Sequence, residues 1–317
     1  MNTSRQGILY GFAAYVLWGL FPLYFRLLES SSALEILLHR LLWTLPLCLL
    51  VVVATGSLRQ LRAVLRDRRR VAALAQAAAV LAVNSGCYVY AVNSGHVIEA
   101  SLGYFVNPLV TVGLAVVVLR ERLRALQWAA VATGVLSVVV LTVDYGRPPW
   151  IALVLAVSFG LYGLIKKQVG GDVGAIVGLT TESLTLAPVA AAGLAVYLAT
   201  GHGTFAEDAP WHALLLAAGG VTVACPLLLF AAAARRIPLT TIGLLQYLTP
   251  VLQLLIGVLL FHEDMPASRW SGFALVWIAL VLLSTDGLRE RSRSAEAYRR
   301  TAPGPSRVSD LTGPKSG

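Results

Sequence analysis

The chain has 317 residues, of which 57% are hydrophobic and only 13% are charged. A soluble domain carries about 25% charged residues, so polar groups cannot cover this surface and the solvent must be largely lipid. The net charge of +9 invites a nucleic-acid reading, which the placement of the basic residues removes. Membrane helices need about 20 mostly apolar residues each. Ten such spans can be marked, at about 7–28, 33–55, 71–94, 97–119, 126–143, 149–165, 174–199, 212–234, 240–261 and 269–286. Strand alternation is absent, which argues against a barrel.

Span one begins like a signal peptide, with Arg5 before an apolar run from Gly7. No small-residue cleavage site follows, and Pro22, Tyr24 and Arg26 stand where one would be expected, so it reads as a retained helix. Span two opens with Glu35, His39 and Arg40. Glu35 and His39, four apart, share a helix face, and Arg40 lies about 100° round the helix. Charge near the bilayer centre is costly. These residues either anchor the helix at the headgroups or face a cavity, with Arg40 meeting an anionic substrate group and Glu35 or His39 exchanging a proton. Asn84 and Tyr88 share a face of span three. Span four carries Glu99, Gly103 and Asn107 on one stripe, with Ser101, Tyr104 and Pro108 beside it.

Pro22, Pro108 and Pro250 free the carbonyls of Trp18, Tyr104 and Gln246. Within a membrane such carbonyls need protein partners or a watery cavity to line. Three kinks therefore set polar backbone beside Trp18, Tyr104–Asn107 and Gln246-Tyr247, either as structural bends satisfied by neighbours or as hinges. Glu182 is the only carboxylate deep in the second half, and a hydroxyl such as Thr180 or Thr185 would be its structural partner. Glu121 and Glu263 follow apolar runs at helix exits and read as anchors. Cys48, Cys87 and Cys225 all fall inside apolar runs without metal-ligand spacing, and read as small packing residues. From Gly287 onward the chain turns to Arg, Ser, Gly and Pro, the composition of a disordered tail.

With the N-terminus inside, Arg5, the six arginines from Arg59 to Arg70, Arg120, Arg122, Arg124, Lys166, Lys167, Arg235, Arg236 and the seven basic residues of the tail share one side. Only Arg147 and Arg269 stand opposite, and Arg26 and Arg40 lie at or within spans. That split is a strong positive-inside signal. It places both termini in the cytoplasm and assigns the basic charge to the lipid-facing surface, with no nucleic acid.

The chain also repeats itself. Pro108, Glu121, Trp128 and Asp144 recur as Pro250, Glu263, Trp270 and Asp286, each 142 residues later, and Trp18-Gly19 is echoed by Tyr162-Gly163 at 144. Two units of five spans follow, 1–146 and 147–287, with a basic cytoplasmic tail at 288–317. An odd number of spans turns the second unit upside down. Inverted repeats of this kind mark secondary transporters, because interchangeable halves give inward-open and outward-open states of similar energy.

The apolar part, roughly 5–290, resembles the EamA type of the drug/metabolite transporter superfamily. Within it, RQGILYGFAAYVLWGLFPLYF in span one, EILLHRLLW in span two and EASLGYFVNPLV in span four resemble the RarD branch. The resemblance implies a ten-helix all-α carrier of the inner membrane, an exporter with a central cavity between its repeats and no cofactor.

No HExxH, GxSxG, Walker loop or paired cysteines occur, which argues against an enzyme, a metal site and an ATP-driven pump. No repeated carbonyl filter or charged ring of a channel is visible. The expectation is a secondary transporter for a small metabolite or drug, with a facilitative channel, a uniporter or a membrane scaffold as alternatives. Its partners are the substrate and lipid, and its oligomeric state stays open. The candidate cavity residues are Trp18, Glu35, His39, Arg40, Asn84, Tyr88, Tyr104, Asn107, Glu182, Gln246 and Tyr247. Spans one to four and six to nine would contribute the walls, and coupling to protons would run through Glu35, His39 or Glu182.

Overall fold

The computed structural model describes residues 3–120, 123–169, 173–201, 203–205, 209–234 and 236–301. Among these residues all regular structure is helical. In chain order the helices are α1 (Thr3–Gly19), α2 (Phe21–Arg26), α3 (Ala33–Ala54), α4 (Leu58–Arg66), α5 (Arg68–Asn93), α6 (Val97–Leu119), α7 (Ala125–Tyr145) and α8 (Trp150–Val169). There follow α9 (Ala175–Ala199), α10 (Pro210–Ala234), α11 (Leu239–Leu245), α12 (Leu248–Leu255), a π-helical turn at Ile256–Leu260, and α13 (Ala267–Thr301). Among the described residues ten stretches, from Ser4–Arg26 to Ala267–Gly287, are long and apolar enough to cross a membrane. Their ends fall within a few residues of those read from the sequence, because apolar length alone sets them. Side chains such as Val143, Leu214 and Val196 stand exposed on the outside of the bundle, where lipid is their solvent.

Local chemistry fixes the helix ends. Ser32 caps α3, its hydroxyl accepting from the Glu35 N–H at 3.1 Å. The Asp67 carboxylate caps α5 by accepting from the N–H groups of Arg69 and Arg70. Such side chains satisfy donors that have no partner in a first helical turn. Gly146 ends α7 in the left-handed region, at φ 64°, where a side chain would be strained.

The helices pack as an inverted repeat requires. α7 lies on α13, α3 on α9, and α6 on α12, each a span against its equivalent in the other half. The other large contacts between the repeats come in exchanged pairs. α1 packs on α10 as α8 packs on α5, α3 on α10 as α9 on α5, and α1 on α12 as α8 on α6. Each half of the bundle is thus built from both repeats. The cores share this mixing: one cluster joins Phe25, Tyr88 and Val97 to Ile151, Leu155 and Leu216, another joins Leu102, Phe105 and Leu141 to Leu254, Phe273 and Val276. Two glycines set the closest crossings. A Cβ on Gly220 of α10 would strike the Trp43 carbonyl of α3, and one on Gly103 of α6 would fall 2.8 Å from the Ala152 carbonyl oxygen of α8. Small residues let membrane helices approach this closely.

Three features depart from the sequence reading. The arginine-rich connection between spans two and three holds a helix that no marked span includes: α4 buries Leu61 and Val64 against Val52, Leu74 and Val177 while Arg59, Arg62 and Arg66 stay exposed. A spacing of three puts Leu61 and Val64 on one face, which is enough to form a short surface helix too brief to span. The tail expected to be disordered from residue 288 continues α13 to Thr301. Its run of Ala, Glu and Arg favours helix, and no Gly or Pro intervenes before Pro303. Residues 302–317 lie outside the described residues, as does Glu121. The three prolines also differ. Spans one and nine break into α1/α2 and α11/α12 just before Pro22 and Pro250, whereas α6 runs unbroken through Pro108.

Candidate functional site

A cavity of about 380 Å³ opens between the two repeats. Spans one to four and six to nine supply its walls, while α7 and α13 supply none. The prolines account for the shape of two walls. At the first break the freed Trp18 carbonyl accepts from Gln253 Nε2 of α12 at 3.2 Å, and one turn earlier the Tyr15 carbonyl accepts from Thr249 Oγ1 at 2.8 Å. The bend of span one is therefore held by span nine, not left to water. Across the cavity Asn84 Nδ2 donates to the Leu155 carbonyl at 3.0 Å and to Ser158 Oγ at 2.9 Å, joining span three to span six.

Two aromatic clusters face each other. Tyr15, Trp18 and Phe230 form one, with ring centroids 5.4–6.1 Å apart. Tyr88, Tyr104, Phe159 and Tyr162 form a chain in the other, at 5.7, 6.3 and 6.1 Å. The clusters are repeat-related: Tyr88 and Phe230 differ by 142, Tyr15 and Phe159 by 144, Trp18 and Tyr162 by 144. Aromatic rings bury much area at low entropic cost and keep a polar tip. The buried hydroxyl of Tyr88 and the Oε1 of Gln253 have no hydrogen-bond partner among the described residues.

Trp18, Arg40, Asn84, Tyr88, Tyr104, Asn107, Gln246 and Tyr247 all reach this wall, as do Pro108 and Pro250. Glu35, His39 and Glu182 do not. Glu35 is fully buried at the other face of α3, where its carboxylate accepts from Thr204 N at 2.8 Å and Thr204 Oγ1 at 3.0 Å. His39 stacks on Phe205, ring centroids 4.7 Å apart, and both ring nitrogens are buried without a partner among the described residues. Thr204 and Phe205 cover this face, and the His212 ring joins Ser31 and Thr204 there. The 100° step from His39 to Arg40 therefore separates a packed polar cluster from the cavity, and of this trio only Arg40 looks inward.

Glu182 borders a small adjoining cavity of about 40 Å³, whose wall also includes Arg40, Thr44 and Ser85. Its carboxylate pairs with Lys166 Nζ at 2.6 Å and accepts from Tyr162 at 3.3 Å. The threonines expected as partners turn to backbone instead: Thr180 donates to Ile176 and Thr185 to the Glu182 carbonyl. Glu99 also leaves the stripe expected of it. It accepts from the Ile151 N–H at 3.0 Å and from Arg147 at 3.0 Å, tying the start of α8 to α6. Glu263 makes the matching tie, accepting from the N–H groups of Val97 and Ile98 at 2.6 and 2.8 Å. Carboxylates suit helix N-termini, where donors are unpaired and the dipole is positive.

Gln253, Thr249, Tyr15, Phe159 and Phe230 line the cavity but were not read from the sequence as site residues. The signal existed for Gln253, an amide in an apolar span three residues past Pro250, as Gln246 is four residues before it. The aromatics were visible only by laying the two repeats over each other. Among the described residues no group of three His, Cys, Asp or Glu gathers as a metal would require.

The model of the EamA-like transporter family matches the chain twice, at residues 5–143 and 148–285. A protein named RarD from Streptomyces exfoliatus is 50% identical over 303 residues, covering 95% of each chain. An uncharacterized transporter of Pseudomonas aeruginosa, PA0485, is 43% identical, covering 91% of this chain and 96% of its own. A chloramphenicol-sensitive protein RarD from the same organism is 34% identical over 91% of this chain and 97% of its own. One solved crystal structure superposes with a TM-score of 0.59 at 19% identity, covering 88% of this chain and 97% of that one, which is a likeness of fold.

Proposed function

Because the chain belongs to the EamA-like transporter family, RarD branch, and is a multi-pass membrane transporter, we propose that it is a secondary-active carrier exporting a small metabolite or drug by alternating access. The observation that supports this most is the cavity itself. It lies between inverted repeats, both of which line it with equivalent aromatic clusters, and two of its walls are helices broken at prolines. Broken helices at a midplane site suit a carrier, since their freed backbone lines the site and their breaks can flex. Glu182, joined to the cavity through Tyr162, is the carboxylate best placed to exchange a proton with it; Glu35 and His39 would act from the packed cluster at the start of α3. The positive-inside distribution supports an inner-membrane protein with both termini in the cytoplasm.

The test is loss of preloaded solutes from cells making the intact chain or none, over amino acids, central metabolites and amphenicols, followed by counterflow in proteoliposomes. A carrier gives faster loss of at least one solute and uptake accelerated by unlabelled solute inside. Flux without such acceleration would mean a channel, and identical loss with and without the chain across the panel would remove the exporter reading. A fluorescent protein fused after Gly317 should fluoresce from a cytoplasmic terminus.

A further inference from the structure

Arg40 and Glu182 stand 142 residues apart, the spacing that relates the two repeats, so they hold equivalent places with opposite charge. Their surroundings are not equivalent. Glu182 is neutralised by Lys166 at 2.6 Å. Arg40 has no such partner: among the described residues its guanidinium makes no ion pair, it lies over the Phe25 ring at 6.0 Å, the wall of the main cavity contains no Asp or Glu, and Glu182, which shares the small adjoining cavity with it, is taken by Lys166. A lone cation in a membrane interior is costly unless a counter-charge arrives. Glu99 and Glu182 pair with Arg147 and Lys166, and Glu35 takes two hydrogen bonds from Thr204 on the face of α3 turned away from this cavity. What is missing is one negative charge.

We infer that the substrate supplies it: the cavity takes an organic monoanion, a carboxylate on a body about the size of one aromatic ring. This rests on the carrier reading and names the substrate class of the same site. The guanidinium offers a planar fork of donors that matches a carboxylate, and the unpartnered Tyr88 hydroxyl in the same wall provides a neutral donor. The rings of Trp18, Phe230, Tyr104 and Phe159 fit an apolar body, and a volume of about 380 Å³ lies at the small end of ligand pockets, which favours a compact body over an extended chain. The unpartnered Gln253 Oε1 accepts a hydroxyl or N–H from that body. A zwitterion is disfavoured because its ammonium meets no carboxylate on the wall. A dianion would leave one negative charge in excess.

The test uses the full chain, purified and reconstituted, with four ligands of one shape and different charge: phenylacetate, phenylacetamide, phenethylammonium and phenylalanine. Binding is measured by titration calorimetry and transport by counterflow. Phenylacetate should bind at least about tenfold tighter than the other three. In Arg40→Gln the ratio of acid to amide affinity should fall to within about twofold, and Arg40→Lys, which keeps the charge, should retain part of it. Equal binding of acid and amide, tighter binding of the amine or the zwitterion, a preference that survives Arg40→Gln, or binding of none of the four by the intact folded chain would each overturn the inference. Acid preference without counterflow would sink the carrier reading and leave the anion site standing. Counterflow without acid preference would do the reverse.

Discussion

Asp144 and Asp286 occupy equivalent places in the two repeats and clamp opposite ends of one antiparallel helix pair. Asp286, at the end of the membrane-spanning part of α13, receives Arg124 from the start of α7, with Nε at 3.0 and 3.1 Å from its two oxygens. Asp144, at the end of α7, receives Arg269 from the start of α13 at 2.9 Å, and Ser268 beside it. Between the clamps Ser137 donates to the Gly272 carbonyl at 2.7 Å. The α7/α13 pair borders the cavity nowhere, so these contacts hold the frame against which the other spans are arranged.

Removing either clamp should therefore lower stability without touching the cavity. Asp286 is buried and Arg124 half-exposed, so the pair sits between a surface bridge and a fully buried one. Asp286→Ala should cost about 1–3 kcal/mol in thermal unfolding in detergent. Asp144→Ala should cost a similar amount. The clamps are roughly 30 Å apart, the length of a 20-residue helix, so the double substitution should be additive. Strong non-additivity would mean the two ends communicate.

Gln253 bridges a broken helix and the cavity wall. Gln253→Leu keeps the volume and removes the donor to the Trp18 carbonyl. The expected cost is about 1 kcal/mol, since polar contacts in membranes are modest. Counterflow should suffer more than stability does, because the bend of span one loses its hold. Unchanged transport with the same loss of stability would confine Gln253 to packing.

Glu263 ties two amides at the start of α6 across the bundle. Glu263→Ala should raise hydrogen exchange of the peptide carrying residues 97–102 by roughly tenfold, the equivalent of one lost helix cap. The start of α8, tied independently by Glu99, should exchange as before. If both helix starts loosened together, the ties would form a single cooperative unit.

Gly220 is the tightest helix crossing. Gly220→Ala pushes a methyl into the Trp43 backbone, which cannot swing aside as a side chain can. It should cost about 1–3 kcal/mol and reduce the yield of folded protein. Gly163→Ala, where a Cβ meets nothing within 4 Å, is the matched control and should be neutral or slightly stabilising.

Much of this fold was legible in the sequence because two of its causes act locally. Apolar length sets the spans, and the 142-residue offset sets their pairing. Arg40, Tyr88, Asn107 and Gln246 could be picked out since a polar or charged group in an apolar span needs a reason. Which way such a group points is a different matter. His39 and Arg40 are neighbours in sequence and end in separate environments, because Thr204, Phe205 and His212, some 170 residues on, cover one face of α3 and not the other. Glu99 and Glu263 are likewise explained only by helix ends that arrive from elsewhere. α4 was missed because nine residues with three arginines read as loop until Leu61 and Val64 find Val177 to pack on. The equivalence of Tyr15 and Phe159 appears only once the broken first span is laid on the sixth with a two-residue slip.

The hold that span nine has on span one carries a consequence in time. Gln253 is 235 residues from Trp18, and Thr249 is 234 from Tyr15. A ribosome adds about 5–20 residues per second, so the bend of the first span enters the bilayer tens of seconds before its donors are made. Until then its bare carbonyl must be kept wet or shielded by the insertion machinery. The first half of this chain therefore waits, inserted and unfinished, for the second to close it.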